Sequence, residues 1–474
     1  MAINLIEPRN LSADSSIREA FKLLAGTFGM VITIVNDRGV LEGIVTDGDL
    51  RNALLNGQSI ETKLAKVMNS WPVTLQMRDI DSGVDIESLR KQLEERGAPT
   101  SDIGNVWAIP VVDQNGVVKG LTTLESQNFF GVTNLESNRG LPNVLVVGGA
   151  GYIGSVLVEM MLDRGWKVKV LDRLIYGGNS LRQFMDNKNL SFVHGDVCNL
   201  TTQVEAIRGV NCVVFLAEIV GDPSCNYVPE MALTTNYLAV NSMASLCAQL
   251  HIHRFIYTSS CSVYGASSNP EVMLDENSEL NPVSHYTRMK IASEESLLKQ
   301  SNPLFAPTIL RLATVFGMSR RPRFDLVVNT FAKNAYLRKL IKVNGGNQWR
   351  PNVHVADVSE TIIRLLQSPI DDVSGQIFNV GSNSENHTIK KISELVCSVF
   401  PESNVEVLSS DLDQRNYRVD FGKMKKYLGY EPNISVLQGL KELKIAFEEG
   451  KISDLDGQEY SNIETLKESY PIAS

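Results

Sequence analysis

The residues best suited to chemistry in this 474-residue chain are a tyrosine and a lysine four positions apart, in the run Tyr286-Thr-Arg-Met-Lys290. At this spacing the two side chains lie one turn apart on the same face of a helix. A phenol has a pKa near 10, so ~4 kcal/mol must be supplied before it acts as a base at neutral pH. An ammonium ~5–6 Å away supplies roughly 3 kcal/mol at an effective dielectric constant of ~20. The pair predicts a tyrosine base that takes a proton from a substrate hydroxyl, and a bound positive group would supply the remainder.

A serine-rich stretch offers a second catalytic group. The run Tyr257-Thr-Ser-Ser-Cys-Ser-Val-Tyr-Gly265 follows an apolar segment that is expected to be a strand. In a parallel sheet, the hydroxyls after such a strand emerge at the carboxyl edge, where ligands bind. Ser260 is placed there to share the proton that Tyr286 moves and to orient the substrate oxygen. Without the tyrosine and lysine, the same stretch would be interpreted as an ordinary serine-rich turn.

A glycine-rich turn supplies a site for a phosphate-containing cofactor. The apolar segment 144–147 is followed by Gly148, Gly151 and Gly154, with Tyr152 and Ile153 between the last two, and then by a helical pattern. Glycines allow a tight turn and a close approach of the backbone, and the helix N-terminus offers free N–H groups and a positive dipole end. The context therefore predicts a dinucleotide-binding turn, and a glycine turn without a ligand is the alternative.

An acidic residue refines the prediction of the cofactor. Asp172 ends the next expected strand, 18 residues beyond Gly154. A carboxylate at that position accepts the ribose hydroxyls and repels a 2′-phosphate, so NAD is favoured over NADP. The neighbouring Arg173 weakens this preference.

The alternation of strands and helices from residue 143 predicts the fold. Strands are expected at 144–147, 167–171, 191–194, 212–216, 254–258 and 307–312, with helical patterns between them. This alternation is typical of an α/β, Rossmann-type, doubly wound parallel sheet that is covered on both faces. After about residue 318 the pattern loosens, which indicates a smaller C-terminal substrate lobe within a domain of residues 143–450. Residues 451–474 are polar and acidic and are expected to be a tail or a short docking helix.

Together these motifs resemble the extended short-chain dehydrogenase/reductase family of nucleotide-sugar epimerases and dehydratases, from about residue 143 to 448. The resemblance implies a catalytic triad of Ser260, Tyr286 and Lys290. It also implies that Asp196 and Val197 contact the adenine, that Leu216 and Ala217 flank the cofactor, and that Asn236 is a structural asparagine. The complete set of implied NAD-binding residues is Gly148, Gly151, Tyr152, Ile153, Gly154, Asp172, Arg173, Asp196, Val197, Leu216, Ala217, Asn236, Tyr286 and Lys290.

The resemblance also indicates how a nucleotide sugar would be held. Arg350, in the run Gln-Trp-Arg-Pro-Asn-Val, falls where the family places an arginine on the substrate diphosphate, a role that suits a guanidinium fork. Arg323 and Arg415 are further candidates for the same pocket, and each could equally be a surface residue. Thr314 occupies the position at which 4-epimerases often have asparagine, so recognition of the sugar or the nucleotide is expected to differ.

Two positions depart from the pattern of the family. Dehydratases carry Asp-Glu, and decarboxylases Ser-Glu, just before Val-Tyr-Gly, whereas this chain has Cys261 and Ser262. A 4,6-dehydratase needs that glutamate to remove the C5 proton, so dehydration is disfavoured. Cys261 is interpreted as a structural thiol, because buried thiols are mostly inert.

Residues 1–130 form a different, α+β unit with an internal repeat. The strands 31–35 and 41–45 with the turn Asn36–Gly39 have a weaker copy at 106–112 and 117–123 with the turn Asp113–Gly116. The pair resembles a tandem CBS-domain module, in which two such units bind adenosine nucleotides. The resemblance implies that Thr46 faces a phosphate and Asp49 the ribose hydroxyls of AMP or ATP, and Ser126 replaces this aspartate in the second copy. Thr46 and Asp49 also fit an ordinary helix cap and first-turn acid, so the structural alternative stays open.

Composition excludes several other classes. The net charge of −9 argues against a nucleic-acid partner, because no basic stripe is present. The six cysteines form no CxxC pair and no metal-like spacing, so no metal site is expected and free thiols suit a reducing compartment. No signal peptide and no apolar run of the ~20 residues that span a bilayer are found. The sequence therefore predicts a soluble, cytoplasmic protein without a membrane partner, with residues 131–142 as the linker between its two parts.

The sequence as a whole favours an NAD-dependent epimerase that inverts a nucleotide-activated sugar, at C4, through a transient keto sugar. One alternative is a dehydrogenase or reductase that uses the same triad with net consumption of NAD(P). A second is a non-catalytic NAD-sensing protein, which would be expected to lose the tyrosine and lysine. The family resemblance and the paired N-terminal module both suggest a homodimer.

Overall fold

The computed structural model describes residues 8–24, 31–46, 49–50, 53–54, 57–78, 89, 106–125, 142–250, 252–267, 272–302, 305–408 and 415–471. The chain divides into two compact units, the first containing residues 1–135 and the second residues 136–248 and 252–474. The predicted linker lies outside the described residues except for Pro142, and Ser126 also lies outside them.

The first unit contains two small three-stranded sheets, in the orders β1-β2-β3 and β4-β5-β6. Helix α1 packs its apolar face into this unit, and Ile17 and Ala20 on that face are fully buried, as the helical periodicity of the sequence predicts. Its elements are β1 (Asn10–Leu11), α1 (Ile17–Leu24), β2 (Ile32–Val35), β3 (Leu41–Val45), β4 (Leu75–Gln76), β5 (Val106–Val112) and β6 (Val118–Glu125).

The internal repeat is visible in the two hairpin turns of this unit. Asn36 in the first turn and Asp113 in the second each accept two backbone N–H groups with a side-chain oxygen, from residues two and four positions further on. Gly39 and Gly116 adopt matching left-handed conformations, with φ of 73° and 78°. The turns also pair with each other, because Leu41 N donates to Gly116 O at 3.0 Å. The same local chemistry therefore builds both hairpins.

The second unit is organised around a parallel seven-stranded sheet in the order β17-β13-β11-β10-β7-β8-β9. The order reverses beside β7, which creates a topological switch point between β7 and β10. The six predicted strands are confirmed with small shifts at their ends, and β17 is a seventh that the sequence did not indicate. The strands are β7 (Asn143–Val147), β8 (Lys167–Asp172), β9 (Leu190–His194), β10 (Cys212–Phe215), β11 (Arg254–Ser260), β13 (Ala306–Leu312) and β17 (Ile377–Val380).

Two of the inner strands are buried along their whole length, because all four residues of β10 and all seven of β13 are buried. Strands buried on both faces are expected where helices cover both sides of a parallel sheet. The helices of this unit are α2 (Tyr152–Asp163), α3 (Leu200–Ile207), α4 (Asp222–Tyr227), α5 (Pro229–Leu233), α6 (Ala239–Gln249), α7 (His285–Gln300), α8 (Val327–Arg338), α9 (Val355–Gln367), α10 (Ile370–Val373), α11 (Ile389–Val399), α12 (Gly422–Leu428), α13 (Val436–Glu448) and α14 (Asn462–Ser469).

A smaller lobe follows β13, as the loosening of the pattern after residue 318 predicts. Helices α8, α11 and α13 enclose its own core, in which Phe316, Val328, Ile392 and Leu440 are fully buried. Its short strands are β14 (Thr314–Phe316), β15 (Leu340–Asn344), β16 (Trp349–His354), β18 (Asn386–Thr388), β19 (Asn404–Leu408) and β20 (Arg418–Val419). Strand β12 (Met273–Leu274), which precedes β13 in the chain, pairs with β20.

The segment after residue 450, for which the sequence left a tail or a docking helix open, is folded against the second unit. Helix α14 packs on α4, and Leu466 is fully buried. Tyr227 Oη donates to Tyr470 O at 3.0 Å, and Tyr470 Oη accepts from Arg173 at 2.7 Å. Although the segment is mostly polar, its few apolar side chains are enough to hold it against the second unit. Within the described part of the chain, no helix combines the length and apolar character that crossing a bilayer requires.

A buried ion pair joins α7 to the sheet. The carboxylate of Glu294 accepts from Arg311 Nε and Nη2, with the shortest distance 2.7 Å, and each side chain is only 3% exposed. Arg311 also donates to Tyr264 Oη at 3.0 Å, and Ser259 donates to Glu294. Each of the two buried charges therefore has an opposite charge beside it, and the pair holds α7, the helix that carries Tyr286 and Lys290, against the sheet.

We expect Glu294→Ala to lower the free energy of unfolding by ~3–5 kcal/mol, because it leaves the Arg311 guanidinium buried without a counter-charge. Glu295→Ala is the matched control on the same helix. Its carboxylate is 64% exposed and lies 3.9 Å from Lys299, so a change within ~0.5 kcal/mol is expected. Denaturant unfolding followed by circular dichroism measures both, and equal losses in the two variants would contradict the assigned role of the pair.

Candidate active site

A cavity of about 600 Å³ opens at the carboxyl edge of the sheet in the second unit. The glycine turn, the residues of the implied triad and the candidate substrate-binding residues all line this one cavity. The sequence-predicted residues that line it are Gly148, Gly151, Tyr152, Ile153, Gly154, Leu216, Ser260, Tyr286, Lys290, Thr314, Arg323, Arg350 and Arg415.

The register of the parallel strands explains why these residues meet. Val147 is paired with Phe215, Phe215 with Tyr257, and Tyr257 with Ile309. Strands β7 and β10 therefore end level with each other, whereas β11 and β13 continue three residues further, to Ser260 and Leu312. The loops that follow all four strands leave the sheet at the same edge. Helix α7 then brings Tyr286 and Lys290 to this edge from the flank of the sheet.

The glycine turn has the geometry that a dinucleotide requires. Gly148 has φ of 84°, and a Cβ at this position would lie 2.7 Å from Ala217 N. A Cβ on Gly154 would lie 2.3 Å from Gly148 O, so the helix can start this close to the turn only with glycine. Gly151 is the N-cap of α2, and glycine has no side chain that could accept a hydrogen bond from the first turn. The N–H groups at the start of α2 therefore receive no side-chain acceptor from the N-cap and are available to a ligand. The turn therefore fits a pyrophosphate.

Asp172 and its neighbours lie beside this turn rather than in the lining of the cavity. Asp172 accepts Ala150 N at 2.9 Å and Leu174 N at 2.8 Å, and burial raises the pKa of its carboxyl. Arg173 forms an ion pair with Asp196 at 2.9 Å and donates to Tyr470. The arginine that weakened the preference for NAD is thus engaged by a carboxylate and a hydroxyl of this chain.

The remaining implied cofactor residues are held by the backbone around the site. The amide of Asn236 bonds both to Ile219 N and to Ile219 O, each at 2.9 Å, and so fixes the loop that follows β10. Ala217 lies directly behind Gly148, and Val197 is buried with its carbonyl accepting from Gln203 at 2.7 Å. These three residues shape the surroundings of the turn without lining the cavity.

Ser260 ends β11 and points its hydroxyl toward a second serine. Ser262 Oγ donates to Ser260 Oγ at 2.8 Å, and both residues line the cavity. Tyr286 and Lys290 lie one turn apart on α7, with the Lys290 ammonium 5.7 Å from the centroid of the Tyr286 ring. The spacing on which the sequence argument rests is therefore present.

The electrostatics around Lys290 differ from that argument, which treated the ammonium as a free charge. Lys290 is 2% exposed, forms an ion pair with Glu218, and donates to Thr258 O. Burial lowers the pKa of Lys290, and the Glu218 carboxylate opposes that change. Burial raises the pKa of the Tyr286 phenol well above its usual value, and the negative charge of Glu218 raises it further. Lys290 alone does not make Tyr286 a base in this arrangement.

Glu218 lines the cavity and pairs with Lys290, and the sequence analysis did not single it out. It follows β10 in the run Phe215-Leu-Ala-Glu-Ile-Val220, and its side chain is only 4% exposed. An acidic residue within an apolar run at the end of a buried strand was the available signal, because a buried carboxylate requires a partner.

The candidate substrate residues differ in how they are bonded. Arg350 is buried and donates to Trp349 O at 2.7 Å and to Arg415 O. Arg323 forms a two-point pair with Asp325 at 2.9 and 3.0 Å, and Arg415 lies 3.7 Å from Asp222. Three guanidinium groups therefore surround one cavity, which suits a ligand that carries several negative charges.

Cys261 is turned away from the chemistry. Its thiol donates to Arg311 O at 3.1 Å, and burial raises its pKa well above the usual value. A thiol that is buried and neutral is a poor acid or nucleophile, in agreement with the structural interpretation of this residue.

We expect Gly154→Ala to weaken NAD binding by roughly 10- to 100-fold, the equivalent of ~1–3 kcal/mol, because the added methyl group forces α2 away from Gly148. Gly422→Ala is the control, since a Cβ there would meet only the flexible Asp420 side chain, at 3.3 Å. The measurement is the NAD content after gel filtration, followed by calorimetric titration with NAD. Wild-type affinity in Gly154→Ala would contradict the assigned role of the turn.

Comparison with known proteins agrees with this geometry. The chain is 26% identical over 312 residues to a dTDP-glucose 4,6-dehydratase of Streptomyces niveus. This alignment covers 63% of this chain and 90% of the relative. It is 27% identical over 312 residues to an uncharacterized UDP-glucose epimerase of Bacillus subtilis, covering 63% of this chain and 95% of the relative. A solved structure of dTDP-glucose 4,6-dehydratase from Bacillus anthracis in complex with NAD has the same fold, with a TM-score of 0.58 at 23% identity over 65% of this chain and 98% of that one.

Family models match both units. The model for the CBS domain matches residues 7–56, so the first unit begins with such a domain. The model described as the NAD dependent epimerase/dehydratase family matches residues 144–381, the region that carries the glycine turn, Ser260, Tyr286, Lys290 and Arg350. The chain therefore belongs to the NAD-dependent epimerase/dehydratase family, and its cofactor is NAD.

Proposed function

We propose that this protein is an NAD-dependent epimerase that inverts a nucleotide-activated sugar at C4 through a transient keto sugar. The observation that carries the proposal is the cavity itself, in which Ser260, Tyr286 and Lys290 lie with the dinucleotide turn and four arginines, three of them the candidate substrate residues. The positions that hold Asp-Glu in dehydratases hold Cys261 and Ser262, and the Cys261 thiol is bonded to a backbone carbonyl. A carboxylate for removing the C5 proton is therefore missing from that position, which favours epimerisation over dehydration.

The residues of the cavity act in sequence on one hydroxyl of the sugar. Tyr286, as phenolate, accepts the proton of the sugar O4, while Ser260 donates a hydrogen bond to the same oxygen and fixes its position. The chemistry that bound NAD would supply is the reversible acceptance of a hydride from the carbon that bears this oxygen. Tyr286 then gives its proton back to the oxygen of the inverted sugar, so the protein ends each cycle in its starting protonation state.

The arginines have a binding role in this scheme. Arg350 reaches the cavity from β16, a strand of the smaller lobe, and would hold the diphosphate while the sugar ring turns over. Arg323 and Arg415 add positive charge to the same wall, and each already has an acidic neighbour in Asp325 and Asp222. A diphosphate anchor that is independent of the sugar lets the ring present either face to the cofactor.

The first experiment is to denature the purified protein, assay the released NAD, and incubate native protein with UDP-, GDP-, CDP- and dTDP-sugars. We expect about one NAD per chain and a C4 epimer of one sugar, without net consumption of NAD(P)H, because the hydride is returned in each cycle. Tyr286→Phe is the control: it should retain NAD and lose the conversion, by on the order of 10²–10⁴-fold, the usual contribution of a general base.

Other outcomes of this experiment separate the alternatives. Protein without NAD that oxidises or reduces added cofactor would identify a dehydrogenase or reductase. Release of a 4-keto-6-deoxy sugar would identify a dehydratase and contradict the argument from Cys261 and Ser262. A protein that holds NAD and converts no sugar would favour an NAD-sensing role.

We further propose that the N-terminal CBS domain binds AMP or ATP and reports its level to the enzyme. Thr46 is the residue assigned to a phosphate and Asp49 the residue assigned to the ribose hydroxyls. In the structure the two form a reciprocal cap: Thr46 N and Thr46 Oγ1 both donate to Asp49 at 2.8 Å, and Asp49 N donates to Thr46 Oγ1 at 3.1 Å. A nucleotide at this pair would therefore compete with a cap that already satisfies both side chains.

The double variant Thr46→Ala, Asp49→Ala should abolish calorimetric binding of AMP and ATP. Ser16→Ala with Glu19→Ala is a matched control, because Ser16 and Glu19 form the same reciprocal cap at α1, with Ser16 N 2.7 Å from the Glu19 carboxylate. The control should bind nucleotide as the wild type does, with a loss of stability of ~1 kcal/mol. Unchanged binding in the Thr46, Asp49 variant would leave the pair with a capping role only.

A further inference from the structure

The carboxylate of Glu218 is buried in direct contact with the ammonium of Lys290. Its Oε2 forms the ion pair with Lys290 Nζ, and its Oε1 accepts from Tyr257 Oη at 3.0 Å. The side chains of Glu218 and Lys290 are 4% and 2% exposed, so water screens neither charge. The carboxylate also lines the same cavity as Tyr286.

The ion pair has a clear structural purpose. A buried ammonium without a counter-charge is strongly disfavoured. Among the residues that the structure describes, Glu218 and the Thr258 carbonyl are the hydrogen-bonding partners of Lys290 Nζ. The ring of Tyr257 lies under the ammonium, with the Nζ 4.7 Å from its centroid, and thus fixes both members of the pair. The lysine is held at the end of β11 before any ligand arrives.

The pair also offsets the positive charge that would otherwise stabilise the phenolate form of Tyr286. An ammonium in contact with a carboxylate presents almost no net charge to a third group several ångströms away. We propose that Glu218 is a positioning residue for Tyr286 and Lys290, which holds the lysine in place and offsets its charge at the tyrosine, so that ionisation of Tyr286 depends on the positive charge of a ring bound in the cavity. The oxidised nicotinamide of NAD is such a ring. The inference rests on the proposed role of Tyr286 as a base.

The other charged groups around Tyr286 do not replace Glu218 in this role. Asp222 and Cys225 face Tyr286 from α4 and disfavour its phenolate, and Arg323 faces it from the loop before α8 and favours it. Glu294 faces Lys290 from the same helix, but its carboxylate is engaged by Arg311. Tyr257, on β11, donates a hydrogen bond from its hydroxyl to Glu218. Among the ion pairs that the structure describes, only the one with Glu218 joins a carboxylate to Lys290.

The experiment follows the ionisation of Tyr286 directly and needs no sugar. Protein labelled with ¹³C at the phenolic carbon of tyrosine is titrated by NMR, and Tyr286→Phe identifies the signal. With oxidised NAD bound, Glu218→Gln should lower the midpoint of the Tyr286 titration by about one pH unit or more, because glutamine keeps the bond from Tyr257 and removes the negative charge. In the wild type, reduction of the bound NAD should raise the midpoint, since the ring loses its positive charge.

Two variants separate this role from a merely structural one. Asp222→Asn removes a carboxylate that lines the same cavity but does not form an ion pair with Lys290. We expect it to shift the midpoint of the Tyr286 titration clearly less than Glu218→Gln does. In a Lys290→Met background, Glu218→Gln should no longer move the midpoint, because a buried Glu218 without its cation is expected to be protonated and neutral. If Glu218→Gln folds poorly, Glu218→Asp, which keeps the charge, should restore both the fold and the wild-type midpoint.

An unchanged midpoint in Glu218→Gln would overturn the proposal, and so would equal shifts in Glu218→Gln and Asp222→Asn. The test is independent of the proposed reaction. If the sugar panel shows no epimerisation but the titration responds as expected, the charge relation between Glu218, Lys290 and Tyr286 stands and only the assigned activity fails.

Discussion

The parallel hydrogen-bonded register of the large sheet is the constraint on which the rest of the second unit depends. Because β7, β10, β11 and β13 are parallel, the chain leaves the sheet four times at the same edge, and β11 and β13 end three residues beyond β7 and β10. The first exit forms the glycine turn, the second presents Glu218, the third presents Ser260, and the fourth leads to Thr314. A shift of one residue in any of these pairings would turn the following side chain to the other face of the sheet and remove it from the cavity.

The same edge concentrates charge in a way that composition does not reveal. The chain is acidic overall, with a net charge of −9, whereas the cavity is lined by four arginines and two lysines. Some of these cations are paired with carboxylates of the same cavity: Lys290 with Glu218 and Arg323 with Asp325. Buried cations need such partners to be stable, so a site for an anionic ligand also contains acids. These acids then influence the chemistry as well as the fold.

Much of the second unit was predictable, because its signals are local in sequence. The apolar runs of β7 and β13, the glycines between 148 and 154, and the spacing of Tyr286 and Lys290 each report on one element and its neighbour. The ion pair of Lys290 was not predictable, since it joins residues 72 positions apart and depends on where two separate elements meet in space. The same holds for α14, because the composition of that segment is polar and only its packing against α4 shows which of its few apolar residues are buried. Strand β17 is too short to stand out from its surroundings, although Phe378 and Val380 in it are fully buried.

Tyr152 gives the glycine turn a mechanical link to the smaller lobe. Its hydroxyl donates to Gly317 O at 2.8 Å and accepts from Asn329 at 3.2 Å, and its carbonyl accepts from Ser319 at 2.6 Å. All of these groups are buried, so the turn cannot swing outward unless several hydrogen bonds break together. We expect these hydrogen bonds to slow any exchange of a dinucleotide that requires the turn to open. The cohesion between the turn and residues 317–329 would then add to the residence time of the cofactor, together with the contacts to the cofactor itself.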